Sequence, residues 1–235
     1  MNNIQTIPLQ NLAFILIPVL AVLVILFKWG QGAGHASYAI LRMLVQLLLI
    51  GYVLNYLFAS NSAPVTLLIL AVMIIFSSWI ALGTVKSMRN KLLWKAMLAV
   101  LTGGGLTLWM VVQPVLELHP WHQPRFVIPL AGMIFASAMN SISLAADRFQ
   151  ADKLNGAAYA EARNRALHTA MIPTINGLLA VGLVSLPGMM TGQILSGVSP
   201  FIAARYQIMV MTMIFAASGL SAACFLSLLK TNERN

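Results

Sequence analysis

Residues 167–197 read LHTAMIPTINGLLAVGLVSLPGMMTGQILSG, 31 residues without a single Asp, Glu, Lys or Arg. As one helix rising 1.5 Å per residue this segment would run about 46 Å, whereas the hydrocarbon core of a bilayer is about 30 Å thick. It must tilt strongly, break, or begin along the membrane surface. Two places invite a break: Pro173, and Pro187-Gly188 with Gly192 just beyond. Proline removes a backbone donor and crowds the preceding turn. Backbone groups freed inside a bilayer have to be buried against protein or line a wet cavity. An interrupted helix here is therefore a candidate pathway element, with a proline kink between packed helices as the plainer alternative.

The rest of the chain supports a membrane setting. Of 235 residues, 60% are apolar and 8% charged, against about 25% charged in soluble domains. Such a composition cannot clothe a soluble surface, which excludes an aqueous enzyme, a disordered chain and a nucleic-acid-binding domain. The fold class expected is all-α, a polytopic membrane protein of about seven helices. The apolar stretches run from about Leu12 to Phe27, Ala36 to Phe58, Val65 to Val85, Ala96 to Leu116, Phe126 to Ala146, Leu167 to Gly197 and Gln207 to Leu229. The longest polar stretch, Asp147 to Arg165, leaves no room for a soluble domain. One transmembrane domain over 1–235 is expected, with a connector helix at about 147–165. The first eleven residues lack Lys and Arg, which reads against a cleaved signal peptide.

Charge orients the spans. Lys28, the group Lys86, Arg89, Lys91 and Lys95, the group Arg148, Lys153, Arg163 and Arg165, and finally Lys230 and Arg234 all follow odd-numbered spans. The opposite loops carry only Arg125 and Arg205. Basic loops are retained in the cytoplasm, so the amino terminus is expected outside and the carboxyl terminus inside. The net charge of +9 is read the same way, as a membrane signature and not a nucleic-acid one. The lone Cys224 forms no intrachain disulfide.

Several motifs then become recognisable. The run from Val181 through Leu186-Pro187-Gly188-Met189-Met190 to Gly192 resembles the signature of FetB-type permeases, a family related to plant aluminium-sensitivity membrane subunits. Arg42, Gln46, Gly51 and Tyr52, the segment Ile128-Pro129-Leu130-Ala131-Gly132-Met133 with Asn140, Ile172-Pro173-Thr174, Ser199-Pro200 and Arg205-Tyr206-Gln207 resemble it too. Two positions depart from the family pattern: Ala136-Ser137 replaces a Gly-Asn pair, and Leu179 stands where a lysine is usual.

The resemblance implies the permease subunit of an ATP-binding-cassette exporter in the cell inner membrane. It would act as a homodimer with a separate cytoplasmic ATPase and move iron or another metal ion outward. No ATP site is expected on this chain, since it contains no G-x-x-x-x-G-K-[ST] loop. Nucleotide would act through the partner, and this subunit is not expected to be an enzyme or to bind a cofactor. By the same analogy the Ala-rich helix around Gly156, Tyr159, Glu161 and Arg163 docks onto the ATPase.

The candidate pathway residues are Pro187, Gly188, Met189, Met190, Gly192, Asn140, Asn176, Gln46 and Arg42. Arg42 either snorkels to the headgroups or orders Gln46 one turn away; a cation is a poor metal ligand. Asn140, Asn176, Ser185, Thr191, Gln193 and Gln207 either join helices by hydrogen bonds or supply oxygens along a cation path. Met189 and Met190 either fill gaps or offer thioethers, which favour soft ions. Glu117, His119 and His122 form a weak E-x-H-x-x-H cluster. No spans contain a clearly buried carboxylate, which disfavours an ion-coupled transporter. The competing reading is a membrane scaffold or regulatory subunit in metal-stress tolerance, without a transport path of its own.

Overall fold

The computed structural model describes residues 8–59 and 62–230; Arg234, counted among the basic residues above, lies outside them. Among the described residues the structure is helical, with one isolated bridge between Val181 and Ser185. Where one domain is expected, the backbone clusters into two compact units that divide after Ala59.

The first unit is a helical hairpin. A short α1 (Leu9–Phe14) leads into α2 (Leu16–Lys28), which turns into α3 (Ala33–Ala59). The amide of Gln31 returns to the Leu26 carbonyl at 2.9 Å and that of Gly30 to Phe27 at 3.2 Å. This bond pair closes a helix in the Schellman manner. Val19, Leu23 and Leu26 on α2, and Ala33, Ala36 and Ile40 on α3, are half-buried. Their steps of three and four residues give each helix one facing stripe.

The second unit begins with α4 (Ala63–Ala81). A continuous helical run, Lys86–Val115, follows. Within it α5 (Arg89–Ala99) and α6 (Leu106–Met110) are separated and followed by π-helical turns at Val100–Gly105 and Val111–Val115. Then come α7 (Pro124–Leu154), α8 (Tyr159–Ala180), α9 (Gly188–Leu195) and α10 (Pro200–Leu229). Proline at the first or second position starts α4, α7 and α10, where its missing N–H costs nothing. Ser199 also caps α10, accepting the Ile202 amide at 3.4 Å.

Small side chains set the packing. Ala131, Ala138 and Ala145 recur every seven residues along α7, and Ala162, Ala166 and Ala170 every four along α8, all buried. With no hydrophobic force between helices in lipid, such residues permit the close backbone approach that dispersion needs. Phe135, Ile134, Ile142 and Phe225 are buried in the larger core cluster, with Ala131 and Ala138.

Six helical runs are long and apolar enough to cross a membrane. The expected sixth span, Leu167 to Gly197, is divided: α8 starts in a charged stretch and ends at Ala180, and α9 is only eight residues. Their joint course nevertheless follows α10. The Tyr159 hydroxyl donates to the Leu226 carbonyl at 2.8 Å, and Thr174 to the Ser218 hydroxyl at 3.3 Å. Residues 187–193 then reach the level of 202–209. The broken pair thus runs antiparallel to α10 over most of its length.

The expected boundaries shift at the basic end of this unit. The region 147–165 is not a separate connector helix: α7 continues to Leu154, 155–158 form a turn, and α8 starts at Tyr159. The cause is local. Gly156 sits at φ +80°, its amide bonds Lys153 at 3.1 Å and that of Ala157 bonds Asp152 at 3.0 Å, so the helix is terminated in the Schellman manner. Basic residues read as a loop are also helical and capping. Arg89 donates to the Trp79 carbonyl through Nε and Nη2, at 3.1 and 2.8 Å, and stacks 4.1 Å over the Trp79 ring. Buried Lys95 reaches the Leu228 carbonyl at 2.8 Å. Both close the C-terminal ends of helices, where carbonyls lack partners and the dipole favours cations.

Candidate functional site

Of the two expected break points the chain uses the second. Helix α8 passes through Pro173 intact and stops at Ala180. The amides of Leu183, Val184 and Ser185 all fold back on the Ala180 carbonyl, at 3.3, 2.8 and 3.1 Å. Gly182, at φ +83°, turns its amide to Ser185 at 3.0 Å and so leaves the helical ladder. Leu186 precedes a proline and is biased away from helical geometry. Pro187 then restarts the helix from an extended conformation, its carbonyl receiving the Thr191 amide at 3.0 Å.

Two cavities follow one another along the groove between α10 and this broken pair, and a third lies on a different face of α10, against α7 and α9. Nearest the basic end lies a cleft of about 200 Å³, walled by Ser137, Asn140 and Ser141 of α7, Thr174 and Gly177 of α8 and Ser218 of α10. Next, beside the break, is a cavity of about 350 Å³ that takes in Pro187, Met190, Gln207 and Met211. Met211 borders both. At the far end a cavity of about 610 Å³ is lined by Arg125, Met189, Gln193 and Tyr206. Gln207 is 4% exposed, and the side-chain carbonyls of Gln207 and Gln193 are buried without a hydrogen-bond partner. Buried polar atoms are nearly always paired, so each unpaired one asks for an explanation.

The expected pathway residues divide accordingly. Asn140 opens onto the first cleft, Pro187 and Met190 onto the second cavity and Met189 onto the third. The two methionines therefore do not converge. Gly188, Gly192 and Asn176 are exposed and wall none of these cavities, and a Cβ added to either glycine would meet no atom within 4 Å. Arg42 and Gln46 belong to the first unit, one turn apart on α3, with Arg42 half-buried and Gln46 exposed. Among the described residues no three His, Cys, Asp or Glu gather as a metal site, so the Glu117, His119 and His122 spacing does not close into one.

Ser141 and Ser218 were not singled out by sequence, and Ser137 and Thr174 entered only through the family resemblance, Ser137 as a departure from it. A usable signal existed on α7, where Ser137, Asn140, Ser141 and Leu144 share one stripe at steps of three and four.

At the basic end the expected docking residues have different fates. Gly156 forms the turn, while Tyr159 is half-buried, tied to Leu226 and edge-on to Phe149 at 5.9 Å. Glu161 and Arg163 remain exposed, Glu161 paired with Arg165 and Arg163 held to Asn164 at 3.0 Å. Asp152, which is buried, pairs with Arg148 of its own helix at 3.1 Å and reaches Arg165 of α8 at 4.0 Å. An apolar pocket of about 300 Å³ opens beside them, lined by Met88, Leu92, Phe149, Leu154 and Phe225 among others.

With this geometry in hand, comparison with known proteins is informative. The model of an uncharacterised protein family, UPF0014, matches residues 9–232. The chain belongs to that family. A UPF0014 membrane protein of Synechocystis is 33% identical, over 86% of this chain and 85% of its own. The probable iron export permease protein FetB of Escherichia coli is 32% identical, over 96% and 92%. The protein ALUMINUM SENSITIVE 3 of Arabidopsis thaliana is 30% identical, over 87% and 80%. No solved structure matches this UPF0014 chain. Membership agrees with the helical membrane architecture and with the resemblance drawn from the Leu-Pro-Gly-Met-Met run.

Proposed function

We propose that this UPF0014 protein is the permease subunit of an ATP-binding-cassette exporter that carries a metal ion, iron in the first instance, out of the cytoplasm. The observation that carries the reading is the break between α8 and α9, with the unpaired side-chain carbonyls of Gln207 and Gln193 buried at cavities on two sides of it. Interrupted helices in transporters expose backbone and polar side chains to a substrate route. The name of the Escherichia coli relative, a probable iron export permease, supports the substrate class.

In this reading the basic end faces the cytoplasm of an inner-membrane protein, following the retention of Lys and Arg. The ATPase docks there, on the exposed side of α8 near Glu161 and Arg163 and on the apolar pocket at Leu154 and Phe149. Energy from hydrolysis reaches the groove through α8, which joins the docking end to the break as one helix, Tyr159–Ala180. Two copies of the chain form the transporter.

The test is reconstitution of the chain with a separate ATP-binding-cassette ATPase from the same organism. Co-purification and a rise in ATP hydrolysis are expected, together with lower metal content in cells that contain both. A chain that moves iron without the ATPase refutes the reading.

A further inference from the structure

The cleft nearest the basic end differs from the other two in the chemistry of its walls. Five oxygen-bearing side chains converge on it from three helices: Ser137, Asn140, Ser141, Thr174 and Ser218. Asn140 lies midway along α7 and is exposed. No charged side chain lines the cleft, and Met211 is its one thioether.

The hydrogen bonds already made decide what the cleft can accept. Ser137 donates its proton to the Met133 carbonyl at 2.8 Å. Thr174 donates its own to Ser218 Oγ at 3.3 Å. Those two hydroxyls have spent their hydrogens and keep lone pairs. Ser141, 2% exposed, borders the cleft beside them. Asn140, Ser141 and Ser218 keep hydrogens as well as lone pairs, and their side chains can turn an oxygen toward a ligand. A cavity of neutral oxygens free of cationic groups can receive a positive ligand.

We propose that this cleft binds an oxygen-preferring divalent cation through the neutral oxygens of Asn140, Ser141, Thr174 and Ser218. The inference rests on the permease reading and adds to it a place and a ligand set for the substrate. Hard and borderline cations take hydroxyl, amide and carbonyl oxygens, while soft ions seek sulfur; oxygens outnumber thioethers here by five to one. About 200 Å³ leaves room for several waters, so the ion keeps part of its hydration. Neutral ligands compensate a double charge only in part, which keeps binding weak. That serves transport, because an ion must leave as readily as it enters.

The experiment uses the full chain in lipid nanodiscs with Mn²⁺ as probe, following the electron paramagnetic resonance signal of free Mn²⁺. Saturable binding is expected. Ser141→Ala and Asn140→Ala should each weaken it at least about fivefold, and Ser141→Thr, which keeps the oxygen, should restore it. Asn140→Asp should tighten it about tenfold by adding a carboxylate. Ser227→Ala, a hydroxyl bonded only to its own helix at Ala223, should change nothing. Absence of saturable binding, indifference to the Ser141 and Asn140 variants, or displacement of Mn²⁺ by Cu(I) would overturn the proposal. The Asn140→Asp gain keeps the test decisive should an alanine variant misfold. Stimulation of the partner ATPase is measured on the same samples. Stimulation without Mn²⁺ binding sinks the site alone, and Mn²⁺ binding without stimulation sinks the permease reading alone.

Discussion

Helix α10 has two different neighbours. On one side it meets the π-helical turn Val100–Gly105, where Gly103 lies so close that a Cβ there would come within 2.5 Å of the Ser221 amide nitrogen and 2.8 Å of its Cα. On the other it faces the broken α8–α9 pair across cavities of about 200 and 350 Å³. The contrast lies in the sequence of the neighbours. Three glycines in a row, Gly103-Gly104-Gly105, let two backbones touch, whereas Gly182 and Pro187 end a helix and leave a gap. One side fixes the position of α10; the other gives it a polar face with the unpaired Gln207 carbonyl.

The largest effect that would test this contrast is at Gly103. Gly103→Ala places a methyl group against backbone that cannot rotate away, and overpacking of this kind costs about 1–3 kcal/mol. A clear fall in the melting temperature of the purified protein is expected, whereas Gly188→Ala, with open space around it, should leave melting unchanged. Equal melting for the two variants would show that the close side does not carry the stability.

The second test acts on the open side. Pro187→Ala combined with Gly188→Ala removes the signal that restarts the helix after the break. On the proposed reading most metal export is lost while melting changes little, since Pro187 is half-buried and Gly188 exposed. Export is read as intracellular iron after a metal load. Intact iron tolerance would favour a scaffold role over a permease.

These two sides were unequally legible in the sequence. The break was readable because a 31-residue apolar segment cannot cross a bilayer straight and because proline has a local, transferable effect. The capping roles of Arg89 and Lys95 were not, since a carbonyl at the end of another helix is a tertiary partner. Periodicity says nothing of it. Likewise Asn140 could be flagged as a polar residue in an apolar stretch, but its meeting with Thr174 and Ser218 depends on how α7, α8 and α10 align. The extension of α7 to Leu154 was hidden by charged residues such as Arg148 and Asp152, which satisfy one another at 3.1 Å and so do not end the helix.

A smaller effect is expected where α8 is fastened to α10. Tyr159→Phe removes a hydroxyl that donates to the Leu226 carbonyl, and one neutral hydrogen bond contributes about 0.5–1.5 kcal/mol. The ring stays against Phe149, so the helix end is loosened without being freed. If α8 transmits motion from the ATPase to the break, this variant lowers coupling, seen as less export per ATP hydrolysed, and leaves ATPase binding intact. An unchanged ratio would mean that the fastening only adds stability.

The smallest expected change sharpens the comparison from the opposite direction. Gly192 lies on α9, is exposed, and has no atom within 4 Å of a would-be Cβ. Alanine is a better helix former than glycine by about 1 kcal/mol in a helix interior, and part of that gain should appear as a slight rise in melting temperature. Transport should then be unchanged, because the residue walls none of the cavities along α10. A loss of export with the helix stabilised would mean instead that α9 has to bend or unwind during the cycle, and that the open side of α10 works by movement of its neighbour as well as by the oxygens it presents.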